Sequence, residues 1–295
     1  MNFWERSDLA CEDFGAENPD ADGIGWRVEH VGKITVRRLE VRTEDASERL
    51  ERPRGVYLTL ECGDLTLADE DTLECLTHWI GDKLRETAER LTGKCVDSEF
   101  CIFVAGMGNE ELTADAIGPK TVRKLTATRH LRDYESAIYH EMGCASVATL
   151  APGVLGQTGI ETQELLAAVI RKISPDVVLA VDALAARDCE RLASTVQISD
   201  VGICPGSGVG NRRSAINLDT VGVPVIALGV PTVVNSATLV YGALRTAGIE
   251  DVDDRIRRVL ESGKSFFVSP KESDVITACF SDLLAKAIEF AFLNV

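Results

Sequence analysis

The 295 residues carry 31 Lys+Arg against 47 Asp+Glu, a net charge of −16, and 45% are hydrophobic but only 5% aromatic. At about 150 residues per domain this is one large domain or two with an aliphatic core, and not an extended disordered chain. The acidic balance argues against direct nucleic-acid binding, which needs clustered Lys and Arg, and no apolar run approaches the ~18 residues of a membrane span. The opening MNFWERSDLACEDFG has neither the basic nor the apolar segment of a signal peptide, so a cytoplasmic protein is expected. Nine cysteines, without a C-x-x-C pair, then read as free thiols, mostly packed as small hydrophobes.

In chain order, residues 1–98 are charge-rich. Trp26 to Val41 and Val56 to Cys62 carry β-branched residues in partial alternation and predict strands, with a polar turn region from Arg42 to Gly55 between them. Leu73, Leu76, Ile80, Leu84 and Leu91 predict a helix over 69–92. From Phe100 the pattern changes to short apolar strands, each followed by a Gly/Asp-rich turn. Strands are expected at Phe100–Ala105, Ser146–Leu150, Asp176–Val181, Thr195–Ser199 and Val223–Leu228, with a helix from about Ile160 to Ile173. Ser265–Val268 adds a short strand and Ser273–Asn294 a closing helix; residues 245–264 are too polar to place. The expectation is an α/β fold: a mostly parallel central sheet with helices on both faces, plus an N-terminal β-rich extension. Its parts are a candidate propeptide at 1–8, the extension with its helix at 9–98, and an α/β catalytic core at 99–295, extension and core forming one compact unit.

In such sheets ligands bind beyond the carboxyl ends of the strands, where the sequence puts Asn109, Asp115, Asp182 and Asp200. There is no G-x-x-x-x-G-K-[ST], no second His after His140-Glu141 and no G-x-S-x-G elbow, and 206-GSGVGN-211 only approximates a dinucleotide loop. His30, His78, His130 and His140 all lie away from the predicted strand ends. Carboxylates remain. Asp182 directly follows the apolar run 177-VVLAV-181, and Asp115 follows the first strand of the α/β part. Two such acids at neighbouring strand ends share one proton: one stays ionised and activates water, the other stays protonated and polarises a carbonyl. Each Asp equally fits a cap on the following helix, and spacing alone leaves both readings open.

Longer blocks carry a resemblance. GMGNEELTADAIGP (106–119), TRHL (128–131), APGVLGQTGIET (151–162), PDVVLAVDALAAR (175–187), TVQISDVGICPGSGVGNRR (195–213), VGVPVIALGVPTVV (221–234) and VSPKESD (268–274) occur in an order that resembles the germination proteases of spore-forming bacteria. More weakly the chain is similar to the hydrogenase maturation endopeptidases. Ala114 stands where the family often has Pro, Met107 and Ile117 where it has Leu, and the leader and the region between Val240 and Ser265 are short.

The resemblance implies an endopeptidase that degrades small acid-soluble spore proteins in the spore core. Asp115 and Asp182 are the two functional aspartates, acting without metal or other cofactor; the alternatives are a metal-dependent maturation endopeptidase and an inactive α/β binding protein on the same scaffold. It also implies a homotetramer, and a zymogen that removes its own leader. The preferred site has an acid at P4, Asp or Glu at P1, a hydrophobic residue at P1′ and Ala at P2′. Glu5-Arg6-Ser7-Asp8 followed by Leu9-Ala10 fits all four positions, making Asp8–Leu9 the expected self-cleavage bond. Lys120, Arg187, Arg212 and Arg213 are the candidate substrate-binding cations that would read the acidic positions.

Overall fold

The computed structural model describes residues 7–14, 22–32, 34–207, 213–249, 253, 255–256, 258–259 and 266–294. Arg212, residues 1–6 of the candidate propeptide and much of the 245–264 region lie outside them. The elements run β1 (Ile24–Val31), β2 (Ile34–Val41), α1 (Glu44–Leu50), β3 (Gly55–Glu61), α2 (Glu70–Thr92), β4 (Cys101–Gly106), α3 (Ile117–Lys124), α4 (Arg129–Tyr134), α5 (Ser136–Met142), β5 (Ser146–Leu150), α6 (Leu155–Thr158) and α7 (Thr162–Ile173). They continue with β6 (Val177–Ala186), β7 (Thr195–Ser199), α8 (Leu218–Val221), β8 (Val225–Asn235), α9 (Ser236–Thr246), β9 (Phe267–Val268) and α10 (Ser273–Leu293). These strands form one sheet ordered β1-β2-β3-β7-β8-β6-β4-β5, with β9 on β8.

Alternation along the inner strands divides the core between the two faces. Ile102, Val104, Leu179 and Val181 point to the face covered by α2, α3 and α10. Phe103, Ala105, Val178 and Ala180 point to the face covered by α7. The α/β class and the helices on both faces stand. The parallel character expected of most of the sheet is confined to β5, β4, β6 and β8. β7 returns antiparallel to β8, and β3, β2 and β1 extend the same sheet antiparallel. The reason is chain length. A parallel return needs a crossover of about a dozen residues or more, whereas β6 and β7 are joined by a short link holding only a single helical turn, Cys189–Arg191.

Two further departures bear on the site. The turn region between Arg42 and Gly55 contains α1, capped by Thr43, whose hydroxyl accepts from Ala46 N–H. Only Ala46 and Leu50 of that helix are buried, too few for a periodic signal. Strand β6 does not stop at Val181 but runs to Ala186. Its neighbour β4 ends at Gly106, paired with Val181, so Asp182 lies within a strand yet beyond the end of the strand beside it. Among the described residues no helix is long and apolar enough to cross a membrane. The nine cysteines are unpaired; Cys75, Cys95 and Cys189 are exposed and the other six buried or half-buried.

Candidate active site

Asp115 closes a single 3₁₀ turn, Thr113–Asp115, between β4 and α3. Two hydroxyls pin the carbonyls of that turn: Thr232 Oγ1 donates to Ala114 O at 2.6 Å and Thr277 Oγ1 to Thr113 O at 3.1 Å. The loop after β4 wraps the carboxylate, with Asn109 N–H donating to Asp115 Oδ2 at 2.7 Å. Gly108 makes the wrap possible: its φ is +109°, and a Cβ there would lie 2.1 Å from the carbonyl oxygen of Asp115. Burial lifts the Asp115 carboxyl above its ordinary range, and the Asn109 amide partly offsets this.

Asp182 is 7% exposed. Its Oδ1 accepts from the N–H of Ala183 at 2.9 Å. Burial pushes its carboxyl well above the ordinary range; the negative charges of Asp115 and, more weakly, Asp8 add to the push, and the Ala183 amide works against it. Both acids line one cleft of about 970 Å³, together with Asp8, Asn109, Arg213 and Lys271. Two carboxyl groups of raised but unequal proton affinity facing the same space can hold one proton between them, an arrangement that can serve general acid–base chemistry on a carbonyl.

Another acid of the cleft, Asp8, belongs to the N-terminal segment. Beyond the end of β4 the edge of β6 is open, and residue 8 docks on it: Asp8 N–H donates to Ala185 O and Ala185 N–H to Asp8 Oδ2, each at 2.9 Å. Asp8 Oδ1 accepts from Ser207 Oγ at 2.6 Å. The next two side chains, Leu9 and Ala10, are fully buried among Ile24, Trp26, Leu39, Tyr57 and Leu184. Burying a leucine to that extent contributes about 2 kcal/mol. Downstream, Asp13 pairs with Arg52 at 2.5 Å, and Glu12 accepts from the N–H groups of Arg187 and Asp188 at 2.8 and 2.9 Å.

The other sequence candidates separate. Arg213 lines the cleft and lies 3.4 Å from Glu161. Arg187 lines a different groove and faces Asp13 at 3.6 Å. Lys120 sits on α3 and is not among the residues lining the cleft. Asp200 caps Val56 N–H and pairs with Arg90; because β7 runs antiparallel, its carboxyl end points away from the cleft. The histidines keep to strand β1 and helices α2, α4 and α5, none of them lining the cleft. Sequence reasoning missed Arg52, Gln197, Ser207, Thr232 and Thr277, since no motif marks a side chain that acts through contacts distant in sequence: 39–45 residues for Arg52 and more than a hundred for the others. Among the described residues, no group of three or more His, Cys, Asp and Glu side chains is arranged to hold a metal ion.

Residues 5–247 match the family model described as Germination protease. The Germination protease of Clostridium acetobutylicum is 35% identical over 97% of this chain and 92% of its own length. That of Clostridium tetani is 38% identical over 91% and 81%, and that of Bacillus pumilus 40% identical over 81% and 65%. Among solved structures, a NiFe hydrogenase maturation protease, HycI from Thermococcus kodakarensis, aligns with a TM-score of 0.37 and 16% identity over 68% of this chain and 97% of that one. With the family model spanning most of the sequence and relatives matched nearly end to end, the chain belongs to the germination protease family.

Proposed function

We propose that Asp115 and Asp182 are the catalytic pair of a spore-germination endopeptidase that hydrolyses small acid-soluble spore proteins after an acidic residue. The family makes the chain a peptidase of germination. The aspartic mechanism, the substrates and the self-processing are our reading. Its main support is one observation: two part- or fully buried carboxyls share a cleft, and the charge of one raises the proton affinity of the other. In the proposed cycle Asp115, the less perturbed acid, is ionised and takes a proton from the attacking water. Asp182 keeps a proton, polarises the carbonyl with it as the tetrahedral intermediate forms, and gives it to the leaving nitrogen as that intermediate breaks. No acyl-enzyme is needed.

The docking of Asp8 supports acid specificity at P1, since a hydroxyl and a backbone N–H both donate to that carboxylate. It also supports a zymogen whose first substrate is its own Asp8–Leu9 bond, with Asp8 held in the cleft until that bond is cut. We extend the family likeness to a homotetramer of the spore core. The test is turnover of a small acid-soluble spore protein by the wild type and by Asp115→Asn and Asp182→Asn, with and without EDTA. Each variant should keep its circular dichroism spectrum and lose activity by roughly 10³-fold, and the wild type should be indifferent to EDTA. Near-wild-type turnover in either variant contradicts the pair. Loss in EDTA that a divalent ion restores contradicts a metal-free mechanism.

A further inference from the structure

The peptide unit joining Asp8 to Leu9 is gripped by two side chains distant in sequence, Gln197 on β7 and Arg52 in the turn between α1 and β3. The carbonyl oxygen of Asp8 accepts from Gln197 Nε2 at 2.9 Å and from Arg52 Nη1 at 3.0 Å. The other end of the Gln197 amide, Oε1, accepts from Ala10 N–H at 2.7 Å. One primary amide therefore spans the bond, holding the carbonyl on one side and the second N–H on the other. Arg52 reinforces the grip, since its Nη2 also donates to the carbonyls of Ser7 at 2.7 Å and Leu9 at 3.2 Å. Neither residue is mobile surface. Gln197 is 8% exposed, in the middle of β7, and the Arg52 guanidinium is tied to Asp13.

Donors fixed by the fold and aimed at a peptide carbonyl are worth most when negative charge develops on that oxygen. We infer that Gln197 and Arg52 form the oxyanion site for cleavage of the Asp8–Leu9 bond, with Gln197 also setting the register of the segment. This rests on the self-processing reading above. The step balances as a simple hydrolysis. Water loses a proton to the ionised aspartate and its oxygen bonds to the Asp8 carbonyl carbon. The carbonyl oxygen becomes an oxyanion held by the Gln197 and Arg52 N–H groups. The C–N bond then breaks, and the Leu9 nitrogen leaves with the proton carried by the other aspartate. Because two donors already occupy the carbonyl oxygen, the proton on Asp182 is left for the departing nitrogen.

The experiment follows the N-terminus of full-length chains by intact mass over time, in wild type, Gln197→Met and Arg52→Lys, with hydrogen–deuterium exchange on residues 9–13. Gln197→Met keeps the volume and removes both hydrogen bonds; Arg52→Lys keeps the charge opposite Asp13 and loses the fork. Self-cleavage in Gln197→Met should be roughly 100-fold slower, with Arg52→Lys intermediate; the Ala10 amide loses its acceptor, while the amides of Glu12 and Asp13, which donate to the carbonyls of Leu9 and Ala10, stay as protected as in wild type. Slowing accompanied by loss of protection at Glu12 and Asp13 means Gln197 only docks the segment, and overturns the oxyanion role. Unchanged or faster cleavage by a folded Gln197→Met overturns it too. A wild type that never loses residues 1–8 removes the self-processing reading and this inference together.

Discussion

At the scale of single residues, the burial of Asp182 has a cost in stability that depends on pH. A carboxyl whose proton affinity is raised in the folded state binds protons more tightly there than in the unfolded chain. The folded state is therefore unpenalised below the ordinary carboxylate range near 4, and loses stability progressively as pH rises toward the folded value. Asp182→Asn removes the titrating group while its amide oxygen still accepts from Ala183 N–H. Thermal melts from pH 4 to pH 8 should show the variant equal to wild type at the acid end and increasingly more stable as pH rises, even though it is inactive. Equal melting at every pH, or a less stable variant, contradicts the burial-driven shift. The buried, strand-end position of Asp182 was legible in the sequence, because an acid directly after VVLAV stands at the edge of a low-dielectric core, and that of Asp115 because it follows the first strand of the α/β part. Their helper residues were not: Gln197 sits in TVQIS, where alternation marks a strand but not which residues cross to the N-terminal segment.

At the scale of elements, the contact between α3 and the sheet sets the position of Asp115. Gly118 lies in the first turn of α3, and a Cβ there would come within 2.3–2.5 Å of the backbone of Met107 and Val181. Gly106 faces it from β4, its own Cβ position 2.3 Å from Gly118 O. The helix rests on bare backbone, and no flexible side chain is available to yield. Gly118→Ala should cost about 2 kcal/mol of stability and, by lifting α3, displace Asp115 and cut activity by at least tenfold; the check is urea unfolding beside turnover. A variant with wild-type activity and stability would show that α3 does not set the site. The strands and the long helices α2, α7 and α10 were legible because their apolar periods are long. Helix α1 was hidden by having only Ala46 and Leu50 on its buried face. The continuation of β6 past Asp182 was hidden because D-A-L-A-A reads equally as turn or strand; the long pairing with β8 decides it.

At the scale of the whole molecule, the N-terminal strands do more than extend the sheet. They and α1 form the wall against which Leu9 and Ala10 are buried, so the segment that is the proposed first substrate is also part of the core. That explains why cleavage at Asp8–Leu9 would release residues 1–8 and leave residues 9–14 in place, held by Arg52, the Glu12 contacts and the buried Leu9. Parallel order in half of the sheet was readable from β-α alternation, and the antiparallel half was not, since the reversal depends on how short the link between β6 and β7 is.

The most direct test of the central claim is the intact mass of the full-length chain, wild type and Asp182→Asn, incubated at mildly acidic pH. The account predicts that the wild type loses residues 1–8 and begins at Leu9, while Asp182→Asn keeps its N-terminus. An active wild type that keeps residues 1–8, or an Asp182→Asn chain that loses them alone in solution, would contradict it.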